Sequence, residues 1–157
     1  MTDSVSLTFY NAKYLNDLSK IDLPADQLRF TQTPTEVMDT LEDKERRLVL
    51  ILNNDVCVGY FILHGGEGPV SLGFDNALLI RSLALNPSQQ GKGLAFHAMS
   101  LLPEFVNAHY SHINKLVLVV NEKNIAAQKL YQKIGFIEHS SRNNEEHGLQ
   151  FIYCYGF

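Results

Sequence analysis

Residues 83–95 read LALNPSQQGKGLA, an apolar run that closes on a polar turn and two glycines before helix-forming residues resume. Glycine weakens a helix interior by about 1 kcal/mol, so Gly91 and Gly93 beside a helix start need a physical reason. The preceding run, ALLIRSLAL (77–85), reads as a central strand. The residues that follow put Leu94, Ala98, Leu101, Leu102 and Phe105 on one helical face, with Pro103 expected to kink or interrupt the helix. A strand-to-helix turn leaves backbone N–H groups unpaired at the positive end of the helix dipole, and a residue without Cβ lets an anion reach them. Gln90 and Lys92 can add side-chain donors. From the glycines alone two readings stand open: an anion-binding loop, or a turn whose own backbone angles require glycine.

On the N-terminal side, VSLTFY (5–10) is a strand and NAKYLNDLSK (11–20) a helix capped by Asn11. TPTEVMDTLED (33–43) carries a helix-start signature, with Thr33 as cap, Pro34 at the first helical position and Glu36 three residues after the cap. Two β-rich runs, 47–52 and 56–63, flank Asn53, Asn54 and Asp55 and form an antiparallel hairpin. HGGEGPVSLGFDN (64–76) is a loop. On the C-terminal side, KLVLVV (115–120) is a buried strand. NIAAQKLYQKIGF (124–136) is a helix with Asn124 as cap, Ala127, Leu130, Tyr131 and Ile134 on one face, and Gly135 as its stop. FIEHSSR and LQFIYCYGF are strands around the turn NNEEHG. The order, β α α β β β α β α β β, is that of an α/β chain with no repeat and no linker, so residues 1–157 are expected to form one domain.

Hydrophobic residues make up 45% and charged residues 19% of the 157, a globular balance. No apolar run approaches the roughly 18 residues of a membrane span, and the acidic N-terminal stretch does not read as a signal peptide. A cytoplasmic protein without a membrane partner is therefore expected. Cys57 and Cys154 lie in apolar runs without metal or redox spacing, so both read as free thiols. The net charge of −4 with 13 scattered Lys and Arg argues against a nucleic-acid partner and suits a cationic small molecule. His109 and His112 are three apart but lack a Cys or carboxylate cluster, so no metal is expected. Two nucleotide loops fail on spacing. Position 86, where a Walker-type loop needs glycine, is Asn, and position 96, where a dinucleotide GxGxxG needs one, is Phe.

A third pattern fits. QGKGLA (90–95) resembles the Q/R-x-x-G-x-G/A acyl-CoA loop of the GNAT superfamily of N-acetyltransferases. NIAAQKLYQKIGF resembles that superfamily's N-x-x-A-x-x-L-Y-x-K-x-G-F region at the usual distance downstream. The element order is similar too, least so over residues 1–45 and the C-terminal tail. The resemblance implies a mixed, mostly antiparallel sheet of about six or seven strands with helices on both faces and the fourth and fifth strands splayed.

Acetyl-CoA is the implied acyl donor, with no metal. The backbone of Gln90, Gly91, Lys92, Gly93, Leu94 and Ala95 would hold its pyrophosphate, and Leu83, Ala84 and Leu85 would pair with its pantetheine arm. A backbone N–H near Leu85 would polarise the thioester carbonyl. Asn124, with Ala127 beside it, would contact the same arm, and capping the helix is compatible with that. Tyr131 would protonate the departing thiolate; the competing reading is a core aromatic.

The implied reaction is direct attack by a primary amine through a tetrahedral intermediate. Where many relatives carry a carboxylate base, this chain has Arg81 and Ser82, and His64, Glu67 and Asp75 are only weak substitutes. Acids in 23–45 and 145–151, with a faint likeness of the N-terminal segment to bacterial diamine and spermidine acetyltransferases, favour a polyamine as the small-molecule acceptor. A protein N-terminus or lysine, and a catalytically weak acyl-CoA sensor, are the alternatives. The oligomer is read as monomer or homodimer.

Overall fold

The computed structural model describes residues 3–157. Among these, seven strands form one sheet in the order β1-β2-β3-β4-β5-β7-β6: β1 (Val5–Phe9), β2 (Arg46–Asn53), β3 (Val56–His64), β4 (Ala77–Leu85), β5 (Lys115–Asn121), β6 (Ile137–Asn144) and β7 (Gly148–Gly156). Neighbours run antiparallel except β4 and β5, which are parallel. The helices are α1 (Leu15–Ser19), α2 (Ala25–Leu28), α3 (Pro34–Asp39), α4 (Glu67–Val70), α5 (Leu94–His109) and α6 (Ile125–Ile134). This is the mixed, mostly antiparallel sheet that the resemblance implied.

Strand alternation sorts the core. In β2, Val49 and Ile51 point to the face covered by α5 and α6, where Leu94, Ala98, Met99, Leu102, Val106 and Tyr131 are buried. Leu48, Leu50 and Leu52 point to the other face and pack with Leu18, Ile21, Leu23 and Val37 from the α1–α3 region. Both faces of the central strands are dry, as their near-continuous apolar runs require. The expected start of α3 is present in full: Thr33 Oγ1 accepts from Glu36 N at 3.2 Å and Glu36 Oε1 accepts from Thr33 N at 3.0 Å. Asn54 and Asp55 take φ of 52° and 66° in the β2–β3 turn.

Two expectations need correction, and one short helix was not foreseen. The segment 64–76 is not wholly loop, because His64 ends β3 and α4 forms within it. The acidic segment before α3 contains the short helix α2, whose entry residue Pro24 sits at φ −69°. Pro103 does not interrupt α5, which is helical from Leu94 to His109. Proline removes a single donor there, while buried Leu102 and Val106 on either side hold the helix against the sheet.

The main positional feature is a bulge in β4. The β3–β4 register shifts between Tyr60 and Ile62, so Ser82 and Leu83 together face Phe61. Ser82 carries the extra turn of backbone at φ 60°, and its Oγ donates to Gln32 Oε1 at 2.7 Å. Pairing of β4 with β5 runs only from Ala77–Lys115 to Ile80–Leu118. Beyond the bulge the two strands part.

Candidate active site

The parting strands open a cleft, and the glycine turn lies at one end of it. Gly91 and Gly93 adopt φ of 78° and 77°, so the backbone itself requires glycine at both positions. A Cβ at either would meet no atom within 4 Å, so the space beside each glycine is open. Both readings of the glycines are therefore compatible. The first amide of α5 to find a carbonyl is His97 N, on Gly93 O at 3.0 Å. The amides from Gly91 to Phe96 precede it and have no backbone acceptor among the described residues.

These amides edge a groove of about 420 Å³ lined by Leu83, Ala84 and Leu85 of β4, Gln90, Gly91 and Gly93 of the turn, Leu94 and Ala95 of α5, and Asn124 and Ala127 at the start of α6. Thus all but Lys92 of the residues expected to touch a cofactor come together in one place; Lys92 is exposed on the turn outside the lining. Asn86 N donates to Val58 O at 2.7 Å, so ladder alternation turns the Leu85 N–H away from β3 and toward the edge that β5 has left. Asn124 caps α6, its Oδ1 accepting from Ala127 N at 3.2 Å.

Gln90 departs from expectation. Its side chain does not reach outward as a free donor: Nε2 donates to Leu85 O at 2.8 Å, and the amide exchanges two hydrogen bonds with Gln27 of α2 at 2.9 and 3.0 Å. Gln90 thereby ties the turn to the strand end and to α2.

The groove opens into a larger cleft of about 690 Å³, and Phe30, Thr31, Leu83, Asn124 and Ala127 line both. Tyr131 lines the larger cleft. It is 5% exposed, packs edge-on to Phe136 with ring centroids 5.4 Å apart, and its hydroxyl has no hydrogen-bond partner among the described residues. Burial raises its phenol pKa well above the ordinary value, which keeps it protonated and able to donate. Thr31 Oγ1, at the junction of groove and cleft, is buried without a partner.

The remaining expectations fall elsewhere. His64, Glu67 and Asp75 do not line the cleft. His64 is 5% exposed at the end of β3, where Nδ1 accepts from Arg81 Nε at 3.1 Å and Nε2 lies 3.5 Å from Asp43 Oδ2. Burial, then Arg46 and Arg81, lower its pKa, so the neutral ring is favoured. His109 stacks on Phe105 at a centroid distance of 4.4 Å and belongs to no candidate metal cluster among the described residues. Cys57 and Cys154 are free. Phe30 and Thr31 come from the segment 23–45 expected on the acceptor side, whereas Arg46 and Arg142 in the lining were not foreseen, because a strand's sequence does not say which distant element faces it.

No helix among the described residues is long and apolar enough to cross a membrane. Residues 14–136 match the model of the Acetyltransferase (GNAT) family. The chain is 39% identical over 155 residues to YbbJ, an uncharacterized N-acetyltransferase of Bacillus subtilis strain 168, and the match spans 97% of each protein. In fold it is similar to an aminoglycoside acetyltransferase, AAC(6')-Ib, in complex with coenzyme A, with a TM-score of 0.79, 19% identity and coverage of 98% of this chain and 95% of that one. It is also similar to the spermidine N-acetyltransferase of Vibrio cholerae in complex with CoA and spermine, with a TM-score of 0.74, 14% identity and coverage of 97% and 95%.

Proposed function

Since this chain belongs to the GNAT family of acetyltransferases, we propose that it transfers the acetyl group of acetyl-CoA to a primary amine, the donor lying in the groove between β4 and α5. The observation that carries this reading is the row of unpaired amides from Gly91 to Phe96 at a groove that opens into a second cleft where β4 leaves β5.

Acetyl-CoA supplies an acetyl group activated as a thioester. Gly91, Lys92, Gly93, Leu94 and Ala95 offer backbone N–H groups to its pyrophosphate, and the fit is supported by the two positive-φ glycines with open space where a Cβ would stand. Gln90 acts through its bonds to Leu85 and Gln27, which fix the shape of the turn. Leu83, Ala84 and Leu85 present the open edge of β4 to the extended arm, with the Leu85 N–H as donor for the carbonyl oxygen. Asn124 and Ala127 close the opposite wall. Tyr131 holds its proton at the hydroxyl and delivers it to the departing sulfur, and its free hydroxyl supports that role over packing alone.

The acceptor enters from the larger cleft, whose walls are the segments around α2 and α3 and the β6–β7 turn. Its size suits a small amine better than a folded protein surface. Of the acids that favoured a polyamine, Glu36 and Glu146 reach the lining, alongside several arginines.

Incubation with acetyl-CoA and a panel of polyamines, amino acids, aminoglycosides and short peptides, read by mass spectrometry, tests the assignment. An acetylated small amine is expected. Acetyl-CoA binding with no acetylated product from any amine would instead favour the sensor reading.

A further inference from the structure

The charges of the larger cleft do not match a purely cationic acceptor. Its lining includes Arg29, Arg46, Arg81 and Arg142 against Glu36 and Glu146. Both acids sit at the rim and are engaged there. Glu36 Oε1 accepts from Thr33 N in the cap of α3, and Glu146 Oε2 lies 3.6 Å from His147 Nε2 with its side chain 83% exposed. Arg46 is paired with Asp43, which leaves Arg29, Arg81 and Arg142 without a carboxylate ion pair among the described residues.

Arg81 is the inner one. It stands on β4 immediately before the bulge at Ser82, half-buried, where the strands part. Its Nε donates to His64 Nδ1 at 3.1 Å, and no carboxylate pairs with its guanidinium among the described residues. Because His64 Nδ1 accepts, the neutral ring carries its proton on Nε2, toward Asp43. Gly68 leaves room for the imidazole, since a Cβ there would come to 2.5 Å from Nδ1. Arg81 is thus aimed by a buried partner through Nε, and its terminal nitrogens make no hydrogen bond among the described residues. Burial first, then the charges of Arg46 and Arg142, lower the Arg81 pKa, and the nearby Asp43 offsets this only in part. Arg142 Nε donates to Gln150 Oε1 at 2.9 Å, and Arg46 shares the exposed Asp43 at 3.4 Å.

Like charges gathered around a desolvated guanidinium cost stability unless an anion joins them, and the planar fork of arginine fits an oxyanion. A polyamine would add positive charge to the same cleft. We infer that the acceptor is a small amine that also carries an oxyanion, a carboxylate or a phosphate, which Arg81 binds with Arg142 and Arg46 beside it while the amino group reaches the parted strands. This assignment rests on the acetyltransferase reading and deepens it by naming the acceptor class.

The test compares thiol release from acetyl-CoA with acceptors matched in pairs: β-alanine against propylamine and phosphoethanolamine against ethanolamine, with putrescine and spermidine beside them. In at least one pair the oxyanion member should show kcat/KM about tenfold or more above its partner, consistent with a charge-assisted bidentate contact, and which pair responds distinguishes carboxylate from phosphate. Arg81→Gln should remove that preference by raising the acceptor KM, with the KM for acetyl-CoA unchanged. Arg142→Gln, at an exposed position where folding is not at stake, should reduce it. Equal rates within both pairs, polyamines as the preferred acceptors, or a preference that survives Arg81→Gln would overturn the inference. If no amine is acetylated, the enzymatic reading fails separately. The oxyanion site is then judged by calorimetric titration of β-alanine and phosphoethanolamine into the wild-type protein and Arg81→Gln: binding lost in the variant supports it, and no binding to either protein overturns it.

Discussion

Gln90 Nε2 donates to the carbonyl oxygen of Leu85 at 2.8 Å, so the residue that opens the glycine turn is bonded to the residue that ends the central strand. The same side chain pairs twice with Gln27, which brings α2 to the groove wall. Removing this clamp should loosen the turn without touching the reacting atoms. Gln90→Ala is expected to raise the KM for acetyl-CoA about fivefold, the equivalent of about one hydrogen bond, with kcat unchanged in steady-state assays.

At Gly93, φ is 77°, a region that costs an ordinary L-residue about 1–2 kcal/mol and a β-branched one more. The valine side chain would also stand in the open space beside the turn amides. Gly93→Val should lower acetyl-CoA affinity by at least about tenfold in calorimetry, with Gly93→Ala intermediate and both variants still giving a cooperative melt.

Tyr131 separates chemistry from packing. Its ring is buried against Phe136, but its hydroxyl bonds nothing among the described residues. Tyr131→Phe therefore keeps the ring and should leave the melting temperature nearly unchanged. As a lost general acid it should lower kcat by about 10²-fold with acetyl-CoA affinity retained. An unchanged kcat would reduce Tyr131 to a core aromatic.

His64 gives the fold an acid sensitivity. Its folded pKa is lowered from 6.5 by burial first and then by Arg46 and Arg81. The unfolded chain therefore takes up a proton that the folded one refuses, so this contribution is intact above pH about 6.5 and is lost as pH falls below it. Thermal melts should show a steeper loss of stability between pH 7 and 5.5 in the wild type than in His64→Gln.

How much of this was legible in the sequence follows the range of the interactions involved. The hairpin around Asn54 and Asp55, the cap of α3 and the run of α6 from Asn124 to Gly135 are set by neighbours within a few residues, and each is present. The bulge at Ser82 is not local, because it exists only as a mismatch between β4 and Phe61 of β3. Nor does the sequence place Arg46, Arg81 and Arg142 on one cleft: they come from β2, β4 and β6, which the sheet order alone arranges around it. The overall acidity of the chain pointed to a cationic acceptor, while the cleft is lined by arginines. Gln90 illustrates the same limit within a motif, since its position was readable but its bond to Gln27, in an unforeseen helix, was not.

Acetyl transfer at this site is tested by the initial rate of thiol release from acetyl-CoA, measured with and without amine acceptors and with Gly93→Val as the control. Release should depend on the amine, saturate in both substrates and fall sharply in the variant. Release that is indifferent to the amine, or equal in the variant, would contradict the placing of acetyl transfer at the meeting of this groove and this cleft.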